Sequence, residues 1–185
     1  MGPAGGGASG LGRIVGQGQT RKVASMYAIK TEVRDPKSDT WTFEAQKTMY
    51  GGKRIAAGDT VFVFASENEG GVGLIACGIV TSARAVPLEP GVERQTPRVS
   101  ITLQRTALAL RRLGRSELKP CSDWNDGRPE TELNFKFYRQ ATDKIVGLSD
   151  GAAAFLSRCF PGPKTSPRGP EAAAPASTVG RVRNP

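Results

Sequence analysis

AAGDTVFVFASENEGGVGLIACGIVTSARAV, residues 56–86, decides the reading of this chain. Two runs of β-branched, aromatic and aliphatic residues, 56–66 and 72–86, flank a polar, glycine-rich patch, Ser66-Glu67-Asn68-Glu69-Gly70-Gly71. The Gly58-Asp59 pair ahead of the first run is turn chemistry, and Val and Phe suit a pleated, half-buried surface. The stretch therefore reads as a β-hairpin whose turn is the acidic patch. Gly73 and Gly78 mark bulges or close approaches of another backbone. Loops on a rigid sheet are also where binding residues gather. The two glutamates of this one would repel an anionic group such as phosphate.

Outward from the hairpin, MYAIKTE (26–32) reads as a short strand. PRVSITLQRTAL (97–108) alternates Val99, Ile101 and Leu103 on one face with Ser100, Thr102 and Gln104 on the other, a half-buried strand. WTFEAQKTMYGGKRI (41–55) is expected to be a helix closed by Gly51-Gly52. ALALRRLGRSELK (107–119) is expected to hold a short helix. ELNFKFYRQ (132–140) alternates Leu133, Phe135 and Phe137 with Asn134, Lys136 and Tyr138, as a strand does. In LSDGAAAFLSRCF (148–160), Ser149 is a good N-cap for a helix. Strands mostly in sequence, a few helical pieces and no regular βαβ alternation predict an α+β fold. Its expected form is a strongly curved mixed sheet or small open barrel with flanking helices.

Composition suits one domain with tails. The chain has 185 residues, 38% hydrophobic and 23% charged, with a formal charge of +9. Residues 1–25 carry Arg13, Arg21 and Lys22, and residues 161–185 carry Lys164, Arg168, Arg181 and Arg183 against Glu171. Each end thus contributes +3 and leaves +3 on residues 26–160. The high charge alone is weak evidence for a basic binding face on the folded part. Residues 1–25, glycine-rich and aperiodic, and residues 161–185, rich in Pro and Ala, are both expected to be disordered. They leave residues 26–160 as the domain, with Met26 a conceivable translation start. The N-terminal glycines do not make a phosphate loop, because no strand precedes them and no Lys-Ser/Thr follows. No secretory signal or membrane span is expected. Cys77, Cys121 and Cys159 form no CxxC pair, so reduced thiols in a cytoplasmic protein are expected and a metal site is not.

The chain contains no histidine, which removes the usual neutral-pH base and every Ser-His-Asp or Cys-His arrangement. The remaining catalytic candidates are carboxylate pairs, Glu67 with Glu69 and Glu130 with Glu132. Charged residues in turns are usually just solvated. SELK (116–119) spaces Ser and Lys as in penicillin-binding enzymes, but the partner motifs are missing. Aromatic equipment is more informative. Trp41 in SDTWTF and Trp124 in CSDWNDG both sit outside apolar runs, as a ring held at a surface cleft would.

YAIKTE, Trp41, AGDTVFVFAS and GGVGLIACGIVTSA together resemble the EVE domain and its relatives in the PUA-like superfamily. EVE domains open on W-x-x-K-S-E-P and later carry G-D-x-V-x-F-Y-x-S and G-I-x-G-I-A-x-V. Here Lys30-Thr31-Glu32 stands for Lys-Ser-Glu, Val33 replaces the proline, and Gly58-Asp59 through Ser66 match well. Arg139-Gln140 and IVGLSDGAAAFL resemble the closing strand and helix. The same layout resembles YTH domains, readers of N6-methyladenine in RNA. Their first strand carries a Lys-Ser pair, followed about a dozen residues later by a Trp of the methyl-binding cage. Trp41 stands in roughly that place, and Trp124 is a second cage candidate by order.

The resemblance covers about residues 26–158 and implies a pocket for a flipped or single-stranded base, often a modified one. Such a pocket needs a π face, groups for the base edge and cations for neighbouring phosphates. The expected base-binding residues are Trp41, Thr31, Ser66, Asn68 and Trp124, and the expected phosphate-binding residues are Lys30, Lys53, Arg54 and Arg139. No cofactor is expected. The leading reading is a non-enzymatic nucleic-acid-binding module, for DNA or RNA. The alternatives are a histidine-independent hydrolase or a small-ligand domain acting on nucleotides or nucleic acid.

Overall fold

Valine and phenylalanine in unbroken succession suit a strand buried on both faces. In the computed structural model, which describes residues 25–139 and 143–162, Thr60–Ala65 (β3) is such a strand, beside Met26–Thr31 (β1). The other strands are Thr40–Met49 (β2), Gly73–Ala85 (β4), Arg98–Leu108 (β5) and Lys144–Gly147 (β6). Arg115–Leu118 (α1), Pro129–Asn134 (α2) and Asp150–Ser157 (α3) are the α-helices. The expected tails lie outside the described residues, apart from Ser25, Pro161 and Gly162.

The strands close into a six-stranded barrel in the order β1-β3-β4-β5-β2-β6, so the expected curved sheet closes fully. β1 pairs with β3, and β2 with β6, in parallel, while the remaining pairs are antiparallel. The barrel interior is filled by Tyr27, Ile29, Val61, Val63, Val99, Ile101, Leu103 and Ile145, with Trp41 and Phe43 from β2. A second apolar cluster lies outside the barrel, where Ala28, Phe62, Phe64 and Val146 meet Leu118, Leu133, Phe137, Phe155 and Leu156 from the helical side. The helices therefore cover β1, β3 and β6, whereas the outer faces of β2 and β5 carry exposed and half-exposed polar residues.

The hairpin of residues 56–86 forms as its sequence predicts. Gly73 has a φ of 85°, and a Cβ there would stand 2.4 Å from the Leu113 carbonyl oxygen, so only glycine fits. The β4–β5 register shifts between Cys77 and Gly78. Ser149 caps α3, its hydroxyl accepting from the Ala152 amide at 3.1 Å. Two expected elements are corrected. Residues 41–55 are not a helix: their first part is β2, and a 3₁₀ turn, Gly52–Arg54, follows. Residues 132–140 are not a strand: Leu133 ends on the buried side of α2, and Phe135–Arg139 continue as a π-helical turn that buries Phe137. No helix among the described residues is long and apolar enough to cross a membrane.

Candidate nucleic-acid interface

At one mouth of the barrel the end of β1, the bulged middle of β2, the start of β5 and the residue before β6 surround a cleft of about 530 Å³. Thr31 lines it from the end of β1 and Glu32 from just beyond, Glu69 from the β3–β4 turn, Arg98 from β5 and Asp143 from the lead into β6. The remaining wall, Glu44 to Lys47, is a bulge in β2, where the pairing with β5 shifts between Phe43 and Gln46. Ala45 sits there at a φ of 49°, a left-handed conformation that a non-glycine residue adopts only when held. It is held on both sides. Its amide donates to the Ser100 hydroxyl at 3.0 Å, and the Arg98 guanidinium donates to its carbonyl at 2.7 Å. Bulges re-aim side chains, and this one turns Glu44 and Gln46 to the cleft.

Below the cleft lies a buried polar knot. Lys30, 1% exposed, places its ammonium 3.9 Å from Glu67 Oε2 and 4.0 Å from Asp143 Oδ1. The Ser66 hydroxyl donates to Asp143 Oδ1 at 3.1 Å, and the Ser66 amide donates to the Thr31 carbonyl at 2.8 Å. Glu67 Oε1 accepts from the Tyr138 hydroxyl at 2.7 Å and from the Arg115 amide at 2.9 Å. Burial, together with the Glu67 carboxylate, raises the pKa of the Tyr138 phenol, so it stays protonated and donates. Burial and the neighbouring Lys30 ammonium lower that of Lys144. The acidic turn is thus a hairpin turn that places Glu69 at the cleft and plugs Glu67 into the knot. Glu67 Oε1 is engaged in the knot by Tyr138 and Arg115, whereas Glu69 lines the cleft, so the two carboxylates are turned to different places.

The expected site residues fall into separate places. Thr31 lines the cleft, with Ser66 and Lys30 supporting it from beneath. Lys30 is too deeply buried to meet a phosphate, which corrects that expectation. Asn68 is exposed on the same turn and accepts from Arg115 at 3.4 Å, outside the cleft wall. Trp41 is 7% exposed and packed inside the barrel, with its indole N–H donating to the Asp35 carbonyl at 2.9 Å. Its ring is therefore a core wall and not the open stacking face expected of it. Trp124, 57% exposed, lies elsewhere, its ring 4.5 Å from that of Phe135, over which Arg139 stands at 4.9 Å. A second cleft of about 380 Å³ runs between Trp124 and Tyr50 and includes Lys136 and Ser149. A wider one that shares Tyr50, Lys136 and Ser149 includes Arg54, and Lys53 is exposed in the same 3₁₀ turn. Gln46, Arg98 and Asp143 escape sequence reading. Only Arg98 leaves a signal, as the first outward residue of an alternating strand.

No family model matches the chain, and no curated protein matches it in sequence. Solved structures do match. Human THYN1 protein in complex with 5-methylcytosine containing DNA aligns at 17% identity and a TM-score of 0.52, covering 72% of this chain and 95% of that one. The DUF55 domain of human thymocyte nuclear protein 1 aligns at 15% identity and a TM-score of 0.52, covering 71% and 96%. The chain has the PUA-like fold. At these identities the likeness is one of fold, and it agrees with the six-stranded mixed barrel and its flanking helices. Within this fold, the end of the first strand and the residue after it deliver Thr31 and Glu32 to the barrel mouth.

Proposed function

We propose that this protein is a nucleic-acid-binding module that takes a base, a modified one in the leading case, into the cleft at the barrel mouth. The observation that carries the reading is the cleft itself. Its volume of about 530 Å³ falls in the roughly 300–1,000 Å³ range of small-molecule sites. Hydrogen-bonding side chains of both kinds line it: Thr31 and Gln46 donate and accept, and Glu69 and Asp143 accept. A base reaching it must leave its stack, so the substrate is a single strand or a flipped nucleotide. The fold likeness to THYN1, solved with 5-methylcytosine containing DNA, supports the reading and makes 5-methylcytosine the first base to try. Among the described residues no aromatic side chain lines the cleft, so recognition there rests on hydrogen bonds and shape.

A second reading is favoured by the exposed rings of Trp124 and Tyr50, which offer the stacking faces the barrel mouth lacks. One titration separates the two. Full-length protein is titrated against labelled single-stranded DNA and RNA oligomers that differ at one base, cytosine or 5-methylcytosine. The first reading expects a preference for one oligomer that Thr31→Val lowers about 5–10-fold, the cost of roughly one hydrogen bond. Loss of the preference in Trp124→Ala, with Thr31→Val unchanged, moves the base to the second cleft. Absence of any binding by the wild-type chain removes the nucleic-acid reading.

A further inference from the structure

The helices cover one side of the barrel and leave the outer face of β2, β5 and the far half of β4 open. On that face the side chains alternate outward in register. Because Val99, Ile101 and Leu103 fill the barrel, Arg98, Ser100 and Thr102 point out. Lys47 pairs with Arg98, and Arg84 with Ser100, so both cations share that face. Beyond the strand ends, the β4–β5 loop carries Arg94 to a cleft of about 280 Å³ that Lys47 and Arg98 also line. Gln95 braces this loop: its amide donates to the Glu89 carbonyl at 2.6 Å and the Val92 carbonyl at 3.0 Å, while its oxygen accepts from the Glu89 amide at 2.8 Å. Arg94 is thereby carried on a fixed loop.

Among the described residues, none of Lys47, Arg84, Arg94 and Arg98 has a carboxylate within 4.0 Å, although Glu44 and Glu89 line the same clefts. Elsewhere Lys30, Arg34, Arg105, Arg112, Arg128 and Lys136 are ion-paired. Between the cations lie hydroxyls, with Thr42 and Thr102 at 3.3 Å from each other. Unpaired, clustered guanidinium groups among hydroxyl donors match the phosphate oxygens of a nucleic-acid backbone. Lys47 and Arg98 also line the barrel-mouth cleft, so the basic face begins where the proposed base site ends.

We infer that Lys47, Arg84, Arg94 and Arg98 form a phosphodiester track, along which the backbone flanking the bound base runs from the barrel mouth over the outer face of β2, β5 and β4. This rests on the nucleic-acid reading above and assigns its backbone contacts to residues that the sequence did not single out. Arg98 also holds the β2 bulge, so the test leaves it in place and removes the two cations farther from the cleft.

Full-length wild type, Arg84→Gln/Arg94→Gln and a control of equal charge, Lys119→Gln/Arg158→Gln, are titrated with the preferred oligomer of about a dozen nucleotides at several salt concentrations. Each lost phosphate contact removes about 0.7–0.9 from the slope of log K against log salt. The track variant is expected to bind several-fold more weakly, with a slope shallower by about 1.5, and to keep the wild-type preference between bases. The control is expected to retain the wild-type slope. A track variant with wild-type affinity and slope, or a control equally weakened, overturns the track while leaving base binding standing. Failure of the wild-type chain to bind any oligomer overturns both.

Discussion

Trp41 and Trp124 divide the work of the two tryptophans. The polar neighbours of Trp41, Ser38, Asp39 and Thr40, made it look like a surface ring. Ser38 and Asp39 precede β2 and Thr40 opens it, while the ring itself goes inward opposite Leu103. Flanking residues do not report a side chain's direction; strand phase does, and the phase here is set by pairing partners sixty residues away. Trp41→Ala is expected to cost about 3–5 kcal/mol, as core aromatic truncations do, and Trp124→Ala no more than about 1 kcal/mol. Urea denaturation followed by circular dichroism reads both. Equal losses would contradict the placement.

Glu132 is a second residue whose role was invisible in RPETE. Its carboxylate accepts from Lys136 at 2.7 Å and from the Ser149 amide at 3.0 Å and hydroxyl at 2.5 Å, tying α2 to the cap of α3. Burial pushes its pKa up, but the bonds from Lys136 and Ser149 outweigh it and hold the carboxyl below its ordinary range. A depressed carboxylate stabilises the fold above its unfolded value of about 4.3, and the gain is lost as pH falls through the folded value. Wild type is therefore expected to lose more stability than Glu132→Gln when pH drops from about 5 to 3, measured by urea midpoints at each pH. Parallel pH profiles would contradict the assignment.

At the scale of elements, the strands of 56–86 and 97–108 were legible because alternation and turn residues agree with the barrel they join. β2 was not, and its bulge is the cause. Trp41 and Phe43 start a regular alternation, then Glu44 and Ala45 insert before Gln46, and the apolar phase breaks into something closer to a helical period. The same bulge walls the proposed base site, so the segment hardest to read is the one on which the proposal rests. In ELNFKFYRQ the alternation is accidental: Leu133 and Phe137 are the fully buried pair, four residues apart as on a helix face. Ala45 tests the bulge directly. Glycine accepts a positive φ without the Cβ penalty, so Ala45→Gly is expected to raise stability by about 0.5–1 kcal/mol, whereas Ala45→Val lowers it. A destabilised glycine variant in thermal melts would mean that the left-handed conformation is not the one present in solution.

For the whole molecule, the resemblance carried by Lys30-Thr31-Glu32, Gly58-Asp59 and the strands after them led to the right fold with little help from overall charge. Charge could not locate an interface, because its sequence total mixes tails, paired cations and free ones. Only the folded barrel shows that Lys47, Arg84, Arg94 and Arg98 gather on one open face with no carboxylate within 4.0 Å among the described residues. The proposed function rests on this geography: a hydrogen-bonding cleft at one mouth, a buried polar knot beneath it and a basic face beside it.

The most direct test is an amide NMR titration of the full chain with two single-stranded oligomers identical except for one 5-methylcytosine in place of cytosine. Shifts common to both oligomers report the backbone path, and shifts that differ between them report the base. The account predicts that the differing shifts concentrate at Thr31, Gln46, Glu69 and Asp143. Differing shifts centred on Tyr50 and Trp124, or none that depend on the base, would contradict it.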